Sequence, residues 1–244
     1  MLDKLKKKFS DKYNLKYDVM LVPNPKDFTC RVSTDTKEKR HTITVDRYTL
    51  ADPARAEYLL AHEFANAYLA ENLDISFGCM PFAAEYTQSA LRMAFQAYML
   101  PVDWWTNAVR HRVFPEYTSQ EMRANIADYA RAPKECDFLF SRFELRQCLA
   151  LDLAENKKYK CGQEFHLRKL VDRLSRGNME SVFEIRDFLL SMGTLSENRD
   201  KALALLQLEV RRYAALLRLP IALSLSTTGE NTSQWWISEP CQCQ

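Results

Sequence analysis

The 244-residue chain is predicted to fold as an α+β protein, with a small antiparallel sheet packed on one long helix and a helical region toward the C-terminus. Two patterns carry that expectation. Before Asp52 apolar residues alternate with polar ones, the period of a strand with one face buried; after Pro53 they recur at helical spacing. With 47% hydrophobic and 11% aromatic residues, the chain can bury a substantial core as one large domain or two small ones.

Leu2, Leu5 and Phe9 fall at i, i+3 and i+7 among lysines, which predicts a short amphipathic helix with its lysines in water. Tyr17, Val19 and Leu21 alternate, as do Phe28, Cys30 and Val32, and then Ile43 and Val45. Pro23, Pro25 and the charged run Asp35 to Arg40 break these into three antiparallel strands. Asp52-Pro53 supplies an N-cap and a proline for the first helical position, and Ala54 to Leu73 contains no Gly or Pro to interrupt a helix. A second long helix is predicted from about Ala83 to Leu100, stopped by Pro101. Thr118 with Glu121 forms a capping box opening a helix through about Ala130, and Asp137 to Leu151 reads as another. Such a hairpin has the outline of a helix-turn-helix, but most helical hairpins never touch DNA. From Gln163 three helical stripes follow: Phe165, Leu170, Val171 and Leu174; Val182, Ile185, Phe188 and Leu189; and Ala202 to Leu217. After Pro220 the composition turns to Ser, Thr, Gly and Asn, which predicts a loosely held tail whose Trp235-Trp236 pair docks back on the body.

Thirty-four basic against 32 acidic residues leave a formal charge of +2, so no bulk field argues for nucleic acid or a membrane surface. No apolar run reaches the roughly 18 residues of a membrane span, and the N-terminus lacks the apolar core of a secretory signal. Seven scattered cysteines without a CxxC pair fit a reduced, cytoplasmic protein; Cys241-Gln242-Cys243 reads as ordinary thiols.

The chemistry lies in the first long helix, which carries HEFAN, His62 to Asn66. In H-E-x-x-H two histidines one turn apart bind a single zinc, and the glutamate polarises the metal-bound water as general base. His62 and Glu63 match that pattern. Asn66 occupies the second ligand position with a neutral amide oxygen, a weaker zinc ligand than imidazole. A buried histidine bonded to a carboxylate or amide is the purely structural alternative.

ITVD (Ile43 to Asp46), its spacer and YLLAHEFANAYL together resemble the strand and active-site helix of the ImmA/IrrE zinc-metallopeptidase family. ALRMAFQAYMLP (Ala90 to Pro101) is similar to that family's next helix, typically E-x-x-A-x-x-F-A-x-x-L-L-M-P, and Ala124 to Leu145 to the helical element after it. The resemblance covers about residues 15 to 146 and implies a zincin-like fold with Glu63 as catalytic base. It also implies that the third ligand opens the second helix motif. Counting back from Pro101, that position is about Ala90, which has no ligand atom. Glu85 is the nearest upstream carboxylate, but five residues along a helix is about 140° off the needed face. Glu71 and Asp74, beyond the end of the active-site segment, read as solvated carboxylates, the alternative being groups that hold the metal ligands from behind.

The expected organisation is a metallopeptidase-like domain over residues 1–146, a helical extension over 147–219 and a flexible tail over 220–244. With two of three ligands weakened or absent, the leading expectation is a pseudoenzyme acting as a regulatory binding protein. The family's habit of working beside Xre-type repressors in prophages and mobile elements implies a partner of that kind. The alternative is an active zinc endopeptidase using His62, Asn66 and a carboxylate such as Glu85, with Glu63 as base. A third reading makes HEFAN coincidental in a structural or DNA-associated helical protein.

Overall fold

The computed structural model describes residues 2–24, 30–46, 49, 51–131, 142–174 and 179–238. They fall into two compact units, Met1–Phe114 with Thr194–Gln244, and Pro115–Gly193. This division departs from the expected boundary at residue 146. A helical stripe records that a face is buried but not which element covers it.

In the first unit α1 (Leu2–Ser10) is followed by β1 (Asp18–Asn24), β2 (Arg31–Asp35) and β3 (Arg40–Asp46). Leu5 and Phe9 of α1 are buried, as their spacing predicts. The sheet order is β1-β3-β2, with β2 antiparallel and β1 parallel to β3. The sheet is therefore mixed rather than antiparallel throughout, because alternation specifies which face is buried and says nothing of strand direction. Val32, Ile43 and Val45 turn into the core; Phe28 lies outside the described residues. The charged run makes the β2–β3 turn, where Asp35 accepts from the Lys37 and Glu38 amides and Lys39 takes a positive φ of 49°.

The next helix, α2 (Pro53–Asn72), begins where the sequence places it: Asp52 accepts from the Ala54 and Arg55 amides ahead of Pro53. A short 3-10 turn, Ile75–Phe77, leads toward α3 (Gln88–Val113), capped by Thr87. Pro101 does not stop α3 but lies buried inside it. An interior proline costs about 3 kcal/mol. Burial of Trp104, Trp105, Val109 and Val113 beyond it offsets that cost, at roughly 1.5–3 kcal/mol for each large apolar side chain.

The second unit contains α4 (Pro115–Arg131), α5 (Arg142–Tyr159), α6 (Glu164–Leu174) and α7 (Met179–Ser191). The fourth helix opens on Pro115 at its first position, and Thr118 is buried inside it instead of forming the expected capping box. Residues 137–141 of the expected next helix lie outside the described residues. Phe165, expected in a buried stripe, is 72% exposed, whereas Val182, Ile185, Phe188 and Leu189 are buried as expected.

The chain then returns to the first unit as α8 (Arg199–Leu216), β4 (Ala222–Gly229) and β5 (Thr232–Ser238). The expected flexible tail is an antiparallel hairpin through residue 238. Trp235 is fully buried, its backbone bonded to Pro81 and Ala83 and its ring against Tyr98; Trp236 is 47% exposed. One of the two tryptophans thus docks back. Residues 239–244, including Cys241 and Cys243, lie outside the described residues.

Candidate functional site around His62

On α2, one turn apart, His62 and Asn66 face α3. The imidazole donates from Nδ1 to Oδ1 of Asn107 at 2.8 Å. Its Nε2 faces Oδ1 of Asp103 at 3.6 Å, an ion-pair distance too long for a good hydrogen bond. Asn66 accepts from the Thr106 hydroxyl at 2.7 Å and donates to Glu63 at 3.4 Å. Asp103, Thr106 and Asn107 stand at i, i+3 and i+4 of α3, so all three project to one side. Two helical turns of α2 and α3 are thereby joined through side chains.

Glu63 is buried, 6% exposed, next to the Val32 backbone on β2. Burial pushes its carboxyl up to about 7, against the stabilising effect of His62 and Asn66. For His62 burial disfavours the charge, but the Asp103 carboxylate and Glu63 outweigh it and Arg110's repulsion, raising the imidazole to about 9. Cys30 lies near Glu63, and burial together with Glu63 and Asp46 pushes its thiol upward.

No family model, curated protein or solved structure matches the chain. The site is therefore read from its own geometry.

His62, Glu63 and Asn66 are brought together as their spacing requires. Glu85 is not: it is exposed in the loop ahead of α3. Ala90 is fully buried at the start of that helix. Thirteen residues separate Ala90 from Asp103, about 20 Å of helix, so the first turn of α3 is remote from the turn that meets His62. The residues missed in the sequence are Asp103, Thr106 and Asn107. Their signal was the polar pattern of DWWTN, with two inward tryptophans between polar groups, hidden by the expectation that Pro101 ends the helix.

The donor set does not fit catalytic zinc, which takes three protein ligands and an open position. Here there is one imidazole, one half-exposed carboxylate and an amide oxygen already accepting from Thr106. Among the described residues no group of three or more His, Cys, Asp or Glu is arranged to hold an ion.

Glu71 and Asp74, read as solvated, are both buried. Glu71 accepts from the Lys16 and Tyr17 amides and from His41 Nε2, whose Nδ1 meets Thr34. Asp74 pairs with Arg199 at 2.7 Å and bonds Ser76 and Ser233. These carboxylates tie distant segments of the first unit together and do not point at His62. Among the described residues, no helix is long and apolar enough to cross a membrane.

Proposed function

We propose that this chain is an ImmA/IrrE-like, zincin-related scaffold that has lost standard zinc catalysis and acts as a cytoplasmic regulatory binding protein. Its partner class, taken from the resemblance of HEFAN and its flanks, is an Xre-type repressor in a prophage or mobile-element setting. The observation that carries this reading is the engagement of both ligand positions by α3: His62 faces Asn107 and Asp103, and Asn66 holds Thr106. A catalytic centre needs ligand atoms free to converge on one ion. Here they converge on a neighbouring helix. As a general base Glu63, its carboxyl pushed up to about 7 by burial, would need a metal-held water to act on, and the donor set at His62 and Asn66 does not fit catalytic zinc.

The test is metal analysis of protein purified without chelator, combined with incubation against a purified Xre-type repressor. The expected result is substoichiometric zinc, unchanged in His62→Ala, and a complex with intact repressor on gel filtration. Stoichiometric zinc abolished by His62→Ala, with cleavage of the repressor dependent on Glu63, would overturn the reading in favour of an active endopeptidase.

A further inference from the structure

We propose that the exposed face formed by α1 and the C-terminal end of α3 binds the phosphate backbone of single-stranded nucleic acid. The overall charge gives no hint of this. A formal net charge of +2 conceals a local excess: residues 3–12 hold five lysines against two aspartates, Asp3 and Asp11. Lys4, Lys7, Lys8 and Lys12 are exposed. Lys4 and Lys8 stand four residues apart on α1, which places their Cα atoms about 6 Å apart along the helix, and Lys12 follows in the turn after Ser10. Like charges at that spacing repel and weaken an isolated helix. Among the described residues neither Lys4 nor Lys7 makes an ion pair that would relieve the repulsion.

Tertiary structure enlarges this row. Phe9 is fully buried against Phe64, Tyr68 and Phe114, which pins α1 to α2 and to the end of α3. Lys12 Nζ donates to the Arg112 carbonyl at 2.5 Å, and Lys8 Nζ lies 4.6 Å above the Phe114 ring. The exposed Arg112 thereby joins the lysines from a hundred residues away, and its charge acts on the Tyr68 phenol against those of Glu197 and Glu71. Tyr13 and Tyr68, their rings 4.4 Å apart, lie half-buried beside the row. Amines along a backbone path with aromatic rings alongside are the combination that holds single strands: the cations meet phosphates and the rings meet bases. A membrane surface fits less well, because Leu5 and Phe9 point into the core and not outward for insertion.

The test is fluorescence anisotropy of the full chain with a labelled oligothymidine, in low salt and then in rising NaCl. Binding is expected, with log K falling against log salt by about 0.7 per phosphate contacted. Lys4→Glu/Lys7→Glu/Lys8→Glu/Lys12→Glu should weaken it by about tenfold or more and flatten the salt slope. The milder Lys4→Gln/Lys7→Gln, at positions without described partners, should give a smaller loss in the same direction with an unchanged melting curve. Absence of binding at low salt, or equal binding by both folded variants, overturns the proposal. So does binding confined to anionic phospholipid vesicles, or equally tight binding to polyglutamate.

Discussion

Two histidine–carboxylate pairs involve α2, and their surroundings differ. His41 and Glu71 meet at 3.1 Å with 0% and 3% of their side chains exposed, and each has further hydrogen-bond partners from other segments. His62 and Asp103 stand 3.6 Å apart with 19% and 28% exposed. The first pair fills its hydrogen-bonding capacity inside the core, and its neighbours hold the Glu71 carboxyl below its usual range despite burial. The second keeps a gap and access to water. One arrangement locks chain segments together; the other stays open to water, in the motif that resembles a catalytic one.

The comparison can be broken most directly at Glu71. Glu71→Ala removes the acceptor of three donors and should lower stability by about 3–5 kcal/mol in urea unfolding. A loss below about 1 kcal/mol would place that pair on a par with exposed ones. Next in size, Asn66→Ala deprives the Thr106 hydroxyl of its acceptor and should cost about 1–2 kcal/mol, read in the same experiment. An effect as large as that of Glu71→Ala would show that the two sites carry equal structural load.

The pH dependence sharpens the contrast further. Glu63 is raised from 4.5 to about 7 and His62 from 6.5 to about 9. For both, the native state holds its proton more tightly than the unfolded chain. Their contributions to stability are therefore fully present below pH 4.5 and 6.5 respectively and are lost as pH rises through about 7 and about 9. Glu71, lowered, acts in the opposite sense: its contribution is present above 4.5 and disappears on acidification. Thermal melts of wild type and Glu63→Gln should diverge between pH 4.5 and about 7, with wild type losing ground as pH rises. Parallel curves would refute the assignment. The smallest expected change in stability is that of Asp103→Asn, under about 1 kcal/mol for a half-exposed pair. Its signature is spectroscopic: the His62 imidazole, followed by NMR, should titrate well below about 9.

Much of this architecture was legible because its causes are local. The start of α2 follows from Asp52 and Pro53, and the core strand from Ile43 and Val45. The candidate site was half legible. His62, Glu63 and Asn66 share one helix, so their spacing alone brings them together. Their partners come from another helix, and the carboxylate that faces His62 is Asp103, past a proline that local rules treat as a stop, and not Glu85.

By itself, then, the sequence determined the α+β class, the long central helix and the polar constellation it carries, since capping and periodicity act over a few residues. Only the tertiary structure decided that β1 runs parallel to β3, that the tail closes as a hairpin over Trp235, and that α3 continues beyond Pro101. Those outcomes depend on burial between segments far apart in the chain. Such packing outweighs the cost of a buried proline, and no local pattern records which distant surfaces will meet.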